Sequence, residues 1–264
     1  MNYKFIDENK EHRHELEGKP LIGTTTLIKE VFPPMLSWYG SGKALEIFGW
    51  LNAKLATEEE RVRAVAEPLQ KLQLPAKDFL ALLDKAYKNH DEFKKEAGKK
   101  GTDTHAKVEA YIGQCLTLDA GRPVYQQNKD IQDFIDWSVK EVKQFLWSEG
   151  FCFSKELWIG GCSDFGFLTK DDKIIIGDYK TSKAIYWTNF LQTAGYGIQV
   201  KENGVLDKDG KKLLDVDRID GYVIFQRKDK EPKVQWMFNT EELEWAFIWS
   251  VGIYKQMQAF KNTK

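Results

Sequence analysis

Apolar and polar positions divide the chain into a helical first part and a strand-rich second part. Runs at about 151–159, 163–169 and 173–180 are apolar or alternate with period two and read as strands. Ile174-Ile175-Ile176 is too apolar for a surface loop and predicts a buried strand. Side chains alternate along a strand, so Ile174, Ile176, Asp178 and Lys180 share one face, and that face turns ionic at its end. Helical spacing appears over about 129–149, with Ile131, Phe134, Ile135, Val139, Val142 and Phe145 as the buried stripe. A second helix begins near Thr188 and carries Gln192 and Tyr196 one turn apart, with Gly195 and Gly197 marking close backbone packing. Strands at about 218–226 and 233–238 form a hairpin around Lys228 to Pro232, and Asn239 with Glu242 caps a last amphipathic helix to Phe260.

Earlier in the chain, residues 1–20 predict a short hairpin with Asn9 and Gly18 in its turns. His12 and His14 lie on one strand face, read as solvent-facing. Thr24 to Thr26 cap an apolar helix that runs to Phe32 and stops at Pro33-Pro34. Gly40-Ser41-Gly42-Lys43 is not a phosphate loop, because Ser37 stands where that pattern needs glycine and Ala44 where it needs Ser or Thr. From Ala44 to about Lys95 the pattern is helical and heavily charged, with a break near Leu74-Pro75. Lys94, Lys95, Lys99 and Lys100 then read as a solvated helix end, with a phosphate-contact patch as the alternative. Thr102 is the expected N-cap of a helix with His105, Val108, Glu109 and Ile112 on one face.

The 264 residues have 42% hydrophobic and 13% aromatic content, enough for a folded core. Net charge is −1, which gives no global basic excess to mark a nucleic-acid partner. Cys115, Cys152 and Cys162 lack CxxC pairing, which fits a reducing cytoplasm and excludes a zinc knuckle. Neither an N-terminal apolar signal nor an 18-residue apolar run is present, so no membrane partner is expected.

The chemistry concentrates at the strand ends. If Lys170-Asp171-Asp172 form a three-residue hairpin loop, Thr169 pairs with Lys173, and the same register sets Asp164 directly opposite Asp178. Opposed Cβ atoms stand about 4.5–5.5 Å apart. Two carboxylates that close repel by about 4 kcal/mol at 4 Å in an effective dielectric of 20. A divalent cation removes the repulsion, and oxygen ligands favour Mg²⁺ or Mn²⁺.

The ordered set Gly161-x-x-Asp164, Asp178-Tyr179-Lys180-Thr181 and Gln192-x-x-x-Tyr196 resembles the PD-(D/E)xK nuclease superfamily, within it the RecB-type exonuclease branch. Gly101-Thr102-x-x-His105-x-x-x-Glu109 fits that branch's upstream His helix, and Glu156 matches an acidic position. The motifs span about residues 101–196; before them the likeness is to phage-type members and is weaker. The resemblance implies an α/β fold of restriction-endonuclease type: a central mixed sheet flanked by helices, with a large N-terminal helical region over one side. It implies a single nuclease domain over 1–264, with 1–150 mainly helical and 151–264 the catalytic core and C-terminal helix. His105, Asp164, Asp178 and the Tyr179 carbonyl would hold Mg²⁺ or Mn²⁺. Lys180 would orient or deprotonate a water, and Gln192 and Tyr196 would support it or touch the DNA backbone. Glu109 and Glu156 read either as residues orienting the ligands or as plain surface. Thr181, Ser182, Lys183 and Trp187 are the expected DNA contacts.

The implied activity is exonucleolytic hydrolysis of DNA ends or single strands, in recombination and repair or in phage DNA metabolism, in the cytoplasm of a bacterium or phage-infected host. The same residues suit a structure-specific endonuclease, or a non-catalytic DNA-binding protein that keeps the fold. Some members of the branch hold an iron–sulfur cluster on four cysteines; with three here, none is expected. The resemblance leaves both a recombination-protein partner and a homo-oligomer open.

Overall fold

The structure is a computed structural model that describes residues 2–8, 11–33, 57, 77–78, 81, 103–182, 184–227 and 231–262. The chain divides into two compact units, Met1–Pro33 with Asp103–Lys264, and Pro34–Thr102. Nearly all of the second unit lies outside the described residues. So do the charged stretch from Ala44 to Lys95, the lysines before residue 101, the Thr102 cap and Lys183. Residues 103–150, grouped by sequence with the N-terminal part, belong to the first unit.

In the first unit the strands β1 (Tyr3–Glu8), β2 (Glu11–Leu16) and β3 (Lys19–Pro20) form a small antiparallel sheet. Next come β4 (Ile22–Gly23), α1 (Thr24–Val31), α2 (103–118) and α3 (Gln132–Glu141), then β5 (Val142–Ser154), β6 (Ile159–Thr169) and β7 (Ile174–Lys180). The chain closes with α4 (Trp187–Asn203), β8 (Val205–Leu206), β9 (Lys212–Leu214), β10 (Gly221–Gln226), β11 (Lys233–Met237) and α5 (Thr240–Lys261). Among the described residues, eight strands make one mixed sheet in the order β11-β10-β7-β6-β5-β8-β9, with β4 parallel to the free part of β6.

Helices cover both faces. On one, α2 and α3 pack Tyr111, Ile112, Phe134 and Ile135 onto Phe165, Phe167, Ile175, Tyr179 and Phe225. On the other, α4 brings Phe190, Ala194 and Tyr196 against Ile176, Tyr222 and Ile224. Behind α4, Leu27 and Ile28 of α1 meet Leu191 and the α5 residues Phe247 and Val251. No helix among the described residues is long and apolar enough to cross a membrane.

Three expectations need correction. The helix read over 129–149 ends at Glu141, and Val142 to Phe145 already belong to β5. The reason is geometric. Register shifts between Val142 and Gln144, and again between Phe145 and Trp147, insert extra residues into β5. A bulge separates same-face residues by three positions instead of two, so Val142 and Phe145 both reach the core at a spacing that mimics a helix. Second, the threonine run lies inside the first turn of α1, after an uncapped Gly23, and the hydroxyls of Thr24 and Thr25 are engaged elsewhere.

Third, His12 and His14 are not alike. His12 is 67% exposed beside Asp7. The hairpin meets the main sheet through Tyr3 and Leu16, both buried, and His14 shares their face. Its Nδ1 is 2.6 Å from the Tyr3 hydroxyl, and its ring lies over Phe5 and Phe151. Gly160 leaves it room: a Cβ there would stand 2.7 Å from His14 Cβ.

Burial pushes the His14 pKa down to about 4. A histidine whose folded pKa lies below its unfolded value of 6.5 contributes its stability in full above pH 6.5. That contribution, of order 2–3 kcal/mol, is lost as pH falls from 6.5 toward 4. Urea unfolding at pH 7, 6, 5 and 4 should show this loss, and His14→Gln should flatten the profile over the same window.

Candidate active site at the end of β7

β6 outruns β7. Their ladder runs from Leu168↔Ile174 to Phe165↔Gly177, the register that the three-residue loop predicts. Thr169 N–H donates to Lys173 O at 2.9 Å, and Asp172 takes the left-handed conformation (φ 63°) that the tight loop requires. Just past the last pair, the Asp164 carboxylate takes over as acceptor, with Oδ2 2.8 Å from the Tyr179 N–H. Next to it Asp178 is fully buried. Its Oδ1 accepts from Lys180 Nζ at 2.8 Å, the contact expected of two residues on one strand face. Its Oδ2 is buried without any hydrogen-bond partner.

Burial pushes the Asp178 carboxyl up to about 7, against the pull of the Lys180 ammonium; Asp164 adds to the rise. Burial alone would lower the Lys180 pKa, but the charges of Asp178 and Asp164 together outweigh it and hold the value above the ordinary one. At neutral pH Lys180 is therefore an ammonium, a donor and a charge rather than a base.

His105, on the first turns of α2, sets its ring edge-on to Tyr179 at 5.4 Å. Its Nδ1 is 3.5 Å from Asp164 Oδ2, too long for a strong hydrogen bond. Burial lowers its pKa more than Asp164 raises it, so the ring is neutral and can offer a nitrogen lone pair. Glu109, one turn on, is exposed. A further carboxyl, Glu149, is overlooked by the sequence reading because it falls in the part of β5 read as helix. It adopts φ 47°, and burial, then Glu109 and Asp164, raise its pKa.

From the other side α4 contributes Gln192 and Tyr196. Gln192 Nε2 donates to the Tyr196 hydroxyl at 2.7 Å and to Thr25 Oγ1 at 3.2 Å. The Tyr196 ring packs close against Gly161, where a Cβ would stand 2.5 Å from its Cε1. That close approach accounts for glycine three residues before Asp164. Thr24 and Thr25, read from sequence only as part of a helix cap, serve the site instead: the Thr24 hydroxyl donates to Gly160 O and accepts from Gln199 Nε2, and Thr25 accepts from Gln192.

The remaining candidates are more scattered. Thr181 and Ser182 are half-buried after β7, and Ser182 Oγ donates to Ala184 O at 2.7 Å. Trp187 is 58% exposed with the Phe32 ring edge against it at 4.6 Å. Glu156 is exposed in the turn before β6. Five residues of strand separate Ile159 from Asp164, about 16 Å, so Glu156 lies outside the cluster.

Among the described residues no three His, Cys, Asp or Glu side chains converge closely enough to form a ready metal cage. The donor chemistry nonetheless suits a hard cation. Asp178 Oδ2 is a desolvated carboxylate oxygen without a partner, and a second carboxylate and a neutral imidazole stand beside it. No family model matches the chain, and no curated protein sequence matches it.

Gly161→Ala tests the packing that aims α4 at the carboxylates. Unless the Tyr196 ring shifts, the added methyl overlaps it. We expect a loss of about 1–3 kcal/mol in denaturant unfolding. Gly161→Ala combined with Tyr196→Leu should recover part of that loss.

Proposed function

We propose that this chain is a divalent-metal-dependent DNA nuclease of the PD-(D/E)xK superfamily, in its RecB-type exonuclease branch, acting on DNA ends or single strands. The observation that carries the reading is the end of β7, where Asp164, Asp178 and Lys180 meet and one buried carboxylate oxygen is left without a partner. A mixed sheet with an antiparallel β6–β7 hairpin, followed by α4 as crossover to the parallel β10, supports a restriction-endonuclease-like core. The sequence order His105, Asp164, Asp178, Lys180, Gln192, Tyr196 supports the branch.

In this reading Asp164 and Asp178 hold Mg²⁺ or Mn²⁺, with His105 and the Tyr179 carbonyl as further ligands. A bound ion would supply Lewis-acid chemistry, polarising a scissile phosphate and lowering the pKa of a water. Lys180 is fixed by Asp178, and its side chain is 20% exposed. It orients a water and offsets charge building on the phosphorane. Gln192 and Tyr196 brace the site through Thr25, which stands 3.2 Å from Gln192 Nε2 and 3.4 Å from the Tyr196 hydroxyl, so α4 cannot shift against α1 without breaking both bonds. Thr181, Ser182 and Lys183 follow the lysine and meet the DNA backbone. The exposed Trp187 ring offers a face on which an unpaired base stacks.

Two outcomes are expected. End-labelled linear DNA, single- and double-stranded, should be degraded with Mg²⁺ or Mn²⁺ and not with EDTA, while a covalently closed circle survives. Lys180→Ala should lower the rate at least about a hundredfold with binding retained. Cutting of the circle moves the reading to a structure-specific endonuclease. Binding without cleavage, unaffected by EDTA or Asp178→Ala, moves it to a non-catalytic DNA-binding protein. Independently of activity, Mn²⁺ should raise the melting temperature of the wild type and leave Asp178→Asn unmoved. At a hundred times Kd the stabilisation is about 2.7 kcal/mol.

A further inference from the structure

α5 is apolar on two sides. Its inner side buries Phe247, Ser250 and Val251 against α4 and α1. Its outer side carries Trp245, Ile248, Trp249 and Ile253, which are 64%, 39%, 71% and 47% exposed. Their spacing of three, four and eight residues from Trp245 makes one continuous stripe along the helix. A solvated helix face is ordinarily polar, and apolar residues all round mark a helix covered on both sides. With about 250 Å² for a Trp side chain and somewhat less for Ile, these fractions leave roughly 450–500 Å² of apolar surface in one patch.

From this stripe we infer a second copy of the same chain docked antiparallel through α5. Three features point to a twofold pairing. Gly252 sits in the stripe with open space around its Cα, a notch that a bulky side chain can fill. A twofold axis level with Ser250 and Val251 sets each Trp249 against the other copy's Gly252. The same axis sets each Ile248 against the other copy's Ile253, so the stripe is complementary to itself in one register.

Charge agrees with that direction. Glu241 and Glu242 are exposed at the start of α5, and Lys255 is exposed near its end. Antiparallel docking brings the acidic end of one helix to the basic end of the other and opposes the two helix dipoles. Area agrees as well. A standard interface buries about 800 Å² per partner, of which 56–65% is apolar, close to what the stripe supplies.

Sedimentation of the full chain from 1 to 100 μM tests the pairing. The wild type should run at about twice 30.6 kDa, and Trp249→Glu should return it to the single-chain mass with an unchanged circular dichroism spectrum. Gly252→Leu, which fills the notch, should raise the dimer Kd at least tenfold. Glu241→Lys with Glu242→Lys should weaken the dimer, and adding Lys255→Glu to that chain should restore it. A wild type that is monomeric at 100 μM overturns the inference and leaves the stripe to a different occupant. So does any oligomer that survives Trp249→Glu, since its interface lies elsewhere.

Discussion

Asp178 has no exposed surface, and only one of its two carboxylate oxygens is hydrogen-bonded. An orphaned buried polar atom of this kind costs about 1–3 kcal/mol, and more when charged. Two features hold it there. β7 is bonded on both sides, by β6 and β10, and covered on both faces by the two largest apolar clusters, so the strand cannot relax outward. Lys180, two residues on, offsets part of the charge without closing the second oxygen. The apolar core thus stabilises an arrangement that the polar cluster alone could not sustain.

The same constraint explains why polar contacts cluster around α1. Where β6 runs past β7 it loses its neighbour on that side, and its backbone needs other partners. Asp164 supplies a side chain to the Tyr179 N–H, β4 pairs with Ile159 and Gly160, and Thr24 donates to Gly160 O. Gln192 and Gln199 of α4 then tie into the α1 threonines. Residues near position 24 are in this way part of the support for a carboxylate at 164.

What sequence made legible was local. The β6–β7 register follows from a loop length and a period of two, and the shared face of Asp178 and Lys180 from the same period. Gln192 and Tyr196 are paired because one helical turn separates them. What was hidden needed distant partners or a broken period. The β5 bulges turned a strand into an apparent helix and concealed Glu149 with it. His14 looked like a surface residue until Tyr3 and Leu16 brought its face onto the sheet. Thr25 acquires its role from a glutamine 167 residues away, a pairing that no window along the chain contains. β8 and β9, with two and three residues, are too short to carry a pattern.

Under the proposed function, the electrostatics of the site couple the binding of cation and DNA. Asp164, Asp178, Glu109 and Glu149 crowd one region, and Lys180 is held as the ammonium among them while His105 is neutral. The raised pKa values of Asp178 and Glu149 are signs of burial and of mutual repulsion already present. A phosphate approaching this group meets the same repulsion, and the chain's net charge of −1 provides no broad basic field to offset it. A divalent cation offsets two of these negative charges and weakens the repulsion for both. If the chain binds both as proposed, linkage makes DNA and the cation each raise the other's affinity by the same factor.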